Sequence, residues 1–139
     1  MVTELSITDA RKGFSSLYDD VFNLFKPAIV KRKESESVLL VRLDLQKKLL
    51  THFSLKPEII EEEDGSVTLA LDELEIYVND ETLEKAANEL IDEIKEYAKE
   101  YIERSQLFLN APNRQHHFPY ILRILLCDND EEIREYLEI

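Results

Sequence analysis

The strongest constraint on the fold is an apolar stripe in the second half of the chain. Leu83, Leu90 and Tyr97 recur at a spacing of seven, and Ala87, Ile94 and Tyr101 repeat that spacing four residues later. On an α-helix the two series interleave into one continuous stripe. They predict a helix from a cap at Asn79 or Asp80 to about Arg104, roughly 36 Å long at 1.5 Å per residue. Such a stripe needs a cover. A second copy of the helix and the strands just before it are both available, and the small number of heptads favours packing within one core.

Those strands are signalled by Asp64-Gly65, the strongest turn dipeptide in the chain, between Pro57–Glu62 and Ser66–Leu71. Glu75–Val78 adds a short strand. After the long helix, Asn110–Asn113 reads as a loop and Pro119 opens a helix over Tyr120–Cys127. Asp128-Asn129-Asp130 caps a last helix over Glu131–Leu137.

The first part of the chain reads differently. Glu4–Ile7 alternates as a short strand, and Thr8-Asp9 offers a helix cap. Ala10, Phe14, Leu17, Tyr18, Val21, Phe22 and Phe25 follow the helical period, interrupted by Gly13 and Ser15-Ser16. Two consecutive helices are expected, 8–13 and 15–25, with Ser15 or Ser16 capping the second and Pro27 ending the run. Residues 28–33 and 37–43 form a hairpin around Glu34-Ser35-Glu36, and Asp44 caps a helix over 45–53. The order is β-α-α-β-β-α, and the fold class is α+β. Pro57 and the acidic run Glu61–Asp64 mark a boundary, giving domains 1–56 and 57–139.

Charge divides at the same place. Residues 1–56 hold ten Lys/Arg against seven Asp/Glu, a net of +3; residues 57–139 hold seven against 23, a net of −16. The first part suits a polyanion and the second a basic protein. Two glycines in the chain exclude a P-loop or a GxGxxG fingerprint. No apolar run is long enough for a membrane span, since Arg123 breaks the longest, Phe118–Cys127. A single cysteine and the absence of a basic-then-apolar leader fit a reducing cytoplasm.

Few residues suggest catalysis, and neither an enzyme activity nor a cofactor is expected. His116 and His117 are adjacent, whereas two ligands on one helix want a spacing of four. Cys127 lies in an apolar stretch and reads as a buried thiol. The basic residues are more informative. Arg11 and Lys12 lie on the first helix, and Lys31, Arg32 and Lys33 end a hairpin strand. If both clusters share a face, they suit contacts to phosphate and to a base in a groove. Otherwise they are a solvated surface, which Glu34 and Glu36 favour. Tyr97 and Tyr101 either pack the core or anchor a protein partner.

Residues 4–50 resemble the Phd/YefM antitoxins. The match runs through Ile7-Thr8-Asp9-Ala10-Arg11-Lys12, Phe14, Leu17, Pro27-Ala28-Ile29-Val30-Lys31-Arg32 and Ser37-Val38-Leu39-Leu40-Val41. The resemblance implies a homodimer, or a higher homo-oligomer, that binds operator DNA of its own operon. It places DNA contacts on Arg11 and Arg32, with Lys12, Lys31 and Lys33 as neighbours. It also implies a C-terminal part that inhibits a toxin, usually a ribonuclease. The family's basic-Gly hairpin turn is replaced here by Lys33-Glu34-Ser35-Glu36. Residues 57–104 more faintly resemble the HicB antitoxins, through Asp64-Gly65-Ser66-Val67-Thr68 and Asp80-Glu81-Thr82-Leu83-Glu84-Lys85-Ala86. Two rival readings follow: a DNA-binding autoregulator without a toxin, and a protein-binding module that has lost DNA contact.

Overall fold

Seven helices and two three-stranded sheets make up the chain, and they separate into two units, Met1–Leu49 and Leu50–Ile139. The computed structural model describes residues 1–139.

In the first unit, strand β1 (Thr3–Ser6) leads directly into helix α1 (Ile7–Lys12). The cap is Ser6 rather than Thr8-Asp9: its hydroxyl oxygen accepts from the Asp9 amide at 3.1 Å. Helix α2 (Phe14–Asn23) follows, and Gly13 occupies its cap position with no side-chain bond, so neither Ser15 nor Ser16 caps it. The helix stops before Pro27. Phe25 takes a left-handed φ of 57°, and the Lys26 amide donates to the Asp20 carbonyl. Strands β2 (Ala28–Arg32) and β3 (Glu36–Leu40) form the expected hairpin, and β2 also pairs in parallel with β1. Helix α3 (Leu43–Leu50) closes the order β-α-α-β-β-α. Asp44 lies in its first turn rather than before it. Only Ala10, Leu17 and Ala28 are buried in this unit, bordered by Leu5, Val21, Val30 and Leu40.

The second unit has a much larger core. Strands β4 (Glu58–Glu61), β5 (Val67–Leu71) and β6 (Ile76–Asp80) form an antiparallel meander. Its first turn is set by Gly65 at φ 86° and by Asp64, whose carboxylate accepts from both the amide and the hydroxyl of Ser66. A 3-10 turn at Asp72–Leu74, with Glu75 left-handed, separates β5 from β6. Helix α4 (Leu83–Glu103) lies on this sheet. It is capped by Thr82, whose hydroxyl accepts from the Lys85 amide at 3.2 Å. Asn79 and Asp80, expected as caps, instead belong to β6. Sheet pairing carries the strand through both capping signals, and the helix starts beyond them.

The stripe on α4 faces inward as its periodicity requires. Ala87, Leu90, Ile94 and Tyr101 are buried with Leu69, Leu71, Val78, Ile121, Ile133 and Leu137, whereas Leu83 stays 40% exposed. Helix α5 (Ser105–Asn110) and a 3-10 turn at Gln115–His117 fill what reads in sequence as the end of one helix and a loop. Helix α6 (Phe118–Leu125) begins with Pro119 in its first turn, and α7 (Asp130–Leu137) is capped by Asn129. Residues 50–56 belong to this unit, since Leu55 is fully buried in its core; the structural division therefore precedes the change of composition at Pro57. No helix is long and apolar enough to cross a membrane.

Candidate functional site

The first unit carries its basic residues at two places: Lys31–Lys33 at one end of the sheet, and Arg11 and Lys12 at the end of α1, next to Gly13, which lines a cleft with Thr3 and Ala28 of the opposite sheet end. Ser6, the cap of α1, is the register partner of Lys31. Helix α1 therefore starts where the Lys31–Lys33 end of the hairpin turns over. Arg11 and Lys12 follow in the last turn of α1, both exposed. Lys33 takes the left-handed φ of 57° that a glycine would favour, so the turn closes without one. Two of the five cations have carboxylate partners. Lys31 Nζ lies 3.4 Å from Glu4, and Arg32 Nε donates to Glu36 at 2.6 Å. Arg11, Lys12 and Lys33 have no ion pair.

The same unit also carries an open apolar groove of about 680 Å³, lined by Phe14, Tyr18, Val21, Phe22, Leu40 and Leu43 among others. Phe14, Tyr18 and Phe22 each leave about half their surface exposed, and the Tyr18 and Phe22 rings stack at 6.0 Å. Arg42 holds the groove's rim. Its guanidinium sits 4.2 Å from the ring centroids of both Phe22 and Phe25, donates to the Phe22 carbonyl at 2.8 Å and pairs with Asp44 at 2.9 Å. The unit thus combines only three buried side chains with an uncovered aromatic surface.

The second unit has a different surface. Glu75, Glu93, Glu96 and Glu100 ring a shallow pocket that also holds Tyr97 and Arg114. Acid is crowded along α4: the Glu89 carboxyl is pushed above the usual carboxylate range, first by burial and then by Asp80 beside it. Tyr101 offers nothing to a partner. It is fully buried, its ring stacks on Phe108 at 4.9 Å, and its hydroxyl donates to the Arg114 carbonyl at 2.9 Å. Tyr97 is half-buried and sits in a relay. Arg114 donates to its hydroxyl at 2.9 Å, and that hydroxyl lies 2.7 Å from Nδ1 of the fully buried His117. Because Tyr97 already accepts from Arg114, it donates to Nδ1, which puts the imidazole proton on Nε2. Nε2 has no partner. Burial first, then the charges of His116 and Arg114, hold the His117 pKa below its ordinary value.

Sequence reasoning missed Phe108, Arg114 and His117 as partners of Tyr97 and Tyr101. Only the adjacency of His116 and His117 drew notice, and nothing in it pointed to the bond between His117 and Tyr97. Cys127 is half-buried rather than buried, with Sγ donating to the Arg123 carbonyl at 3.4 Å.

The fold and these surfaces define an α+β protein of two units, with basic and apolar surfaces on one and an acidic surface on the other. A family model described as PHD-like, antitoxin of toxin–antitoxin, RelE/RelB, TA system, matches residues 1–139, and the chain belongs to this antitoxin family. It is also similar to a crystal structure described as the antitoxin part of a candidate toxin/antitoxin system from Syntrophomonas wolfei subsp. wolfei. Identity is 32%, the TM-score is 0.86, and the match covers 97% of this chain and 96% of that one. No curated protein matches significantly.

Proposed function

We propose that this antitoxin neutralises a cognate toxin by direct binding and represses its own operon by binding operator DNA as a homodimer. The observation that carries the proposal is the segregation of surfaces onto two separately cored units. The first unit joins two basic clusters, Arg11 and Lys12 on α1 and Lys31, Arg32 and Lys33 on the hairpin, to an apolar groove that a second copy covers. Twofold pairing then sets two basic ends on matching half-sites. The second unit supplies the acid-rich surface, including the pocket around Tyr97, to a basic toxin, a ribonuclease whose RNA-binding surface the acid covers.

The test has two arms. Fluorescence anisotropy on the protein's own upstream DNA, against a scrambled duplex, should show specific binding that falls with salt and weakens in Arg11→Ala. Co-expression with the adjacent reading frame should recover a small basic protein in complex. Equal binding by Arg11→Ala and wild type would sink the DNA assignment, and the absence of any such complex would sink the toxin assignment. One rival has an observation behind it. The Lys31–Glu4 and Arg32–Glu36 pairs favour a protein-binding module without DNA contact, and that reading predicts no preference for the upstream DNA.

A further inference from the structure

Both strand cations of the basic sheet end are met by carboxylates from flanking strands. Glu4 reaches Lys31 from β1, and Glu36 reaches Arg32 from β3. The second pair is the closer one. Arg32 and Glu36 are the last register partners of the hairpin, so their side chains leave the same face of the sheet beside the turn. Nε of Arg32 donates to the Glu36 carboxylate at 2.6 Å. A guanidinium so engaged has its Nε edge occupied, and it must leave its carboxylate before it can hold a phosphate along that edge, although the Nη pair stays available end-on. Glu34, in the same turn, carries the same charge and has no partner.

We propose that Glu36 is a built-in competitor for the phosphate that Arg32 would hold, and that it sets the protein's affinity for DNA. The inference rests on the DNA-binding reading above. Glu36 acts in two ways. It must be displaced for a phosphate to take the Nε edge of Arg32, and whether displaced or not it leaves a negative charge beside the phosphate. An exposed pair is weak, so the competitor tunes binding rather than abolishing it. The protein therefore keeps the arginine and still binds DNA below the strength that its five cations imply. Arg11, Lys12 and Lys33 make up the contacts that bind without competition.

The experiment is anisotropy of the full-length protein on its own upstream DNA, for wild type, Glu36→Gln, Glu34→Gln and Arg32→Ala, and for Arg32→Ala combined with Glu36→Gln. Arg11→Ala runs alongside. Glu36→Gln should tighten binding roughly two- to fivefold at low salt, the size of one exposed ion pair. It should also steepen the salt dependence by up to about 0.9 log units per decade of salt, one added phosphate contact. Glu34→Gln should do less, since it changes charge without freeing a cation. Arg32→Ala should cost more in the Glu36→Gln background than in the wild type, which isolates the coupling. Equal tightening by Glu34→Gln and Glu36→Gln would reduce the effect to net charge and overturn the competitor. An identical loss from Arg32→Ala in both backgrounds would do the same. If no variant prefers the upstream DNA to a scrambled duplex, and Arg11→Ala matches wild type, the DNA-binding reading itself falls and the competitor falls with it.

Discussion

Replacing His117 by glutamine should flatten the pH dependence of the second unit's stability. The native imidazole is fully buried, accepts from Tyr97 through Nδ1 and leaves Nε2 without a partner. Protonation would put a charge there beside Arg114 and His116, so the fold favours the neutral ring and holds its pKa below the ordinary 6.5. The sign follows directly. As pH falls through 6.5 the unfolded chain takes up a proton before the folded chain does, so stability is full above that pH and is lost below it. The loss continues until the folded pKa is reached. Its slope has an upper bound of about 1.4 kcal/mol per pH unit, the value for one proton. For a unit of this size that corresponds to a melting shift on the order of 5–10 °C across one pH unit. Glutamine can still accept from the Tyr97 hydroxyl through its side-chain oxygen, but it does not titrate. Urea titrations of both proteins from pH 7.5 to 5.5, followed by far-UV circular dichroism, measure the difference in slope. Parallel curves would show that His117 is protonated equally easily in both states, and the argument from its burial would fail.

Other changes test other parts of the structure. Thr82→Ala removes the oxygen that accepts from the Lys85 amide and should cost about 1 kcal/mol, read as a lower urea midpoint. Tyr101→Phe removes one of the two donors to the Arg114 carbonyl, which keeps the His117 amide, and should cost about 0.5–1.5 kcal/mol by the same measurement. An unchanged midpoint in either variant would contradict the bond assigned to it. Tyr18→Glu places a charge in the aromatic groove of the first unit and should convert a dimer to a monomer in sedimentation velocity, with the melting of the second unit unaffected. A dimer that survives the substitution would place the second copy elsewhere.

The long helix was legible because its six stripe positions carry a period that only a helix satisfies, and five of the six are wholly or partly buried. The Asp64-Gly65 turn was legible for a similar reason, since a local chemical preference and a local geometry coincide there. Capping was read less well. Ser6, Thr82 and Asn129 cap helices, yet Thr8-Asp9 and Asn79-Asp80 were equally good candidates by composition for the first two. Hydrogen bonding in β1 and β6 decides which polar residue lies at the junction, and pairing with distant strands is not written locally. Helix α5 and the Gln115–His117 turn escaped notice because their hold on α4 is aromatic packing at long range, through Phe108 and His117 on Tyr97.

The sequence by itself determined the order of the strands and of the helices other than α5, the change of composition, the split of charge and the identity of the basic residues. Each depends on neighbours a few positions apart, where propensity, period and composition act. Only the tertiary structure decided which side chains are available. It buried Tyr101 and left Tyr97 at an acidic pocket, gave Arg32 a carboxylate partner while leaving Arg11 without one, and left the aromatic side of the first unit uncovered. Exposure and pairing are properties of the surfaces that meet, and those surfaces exist only after the chain has folded.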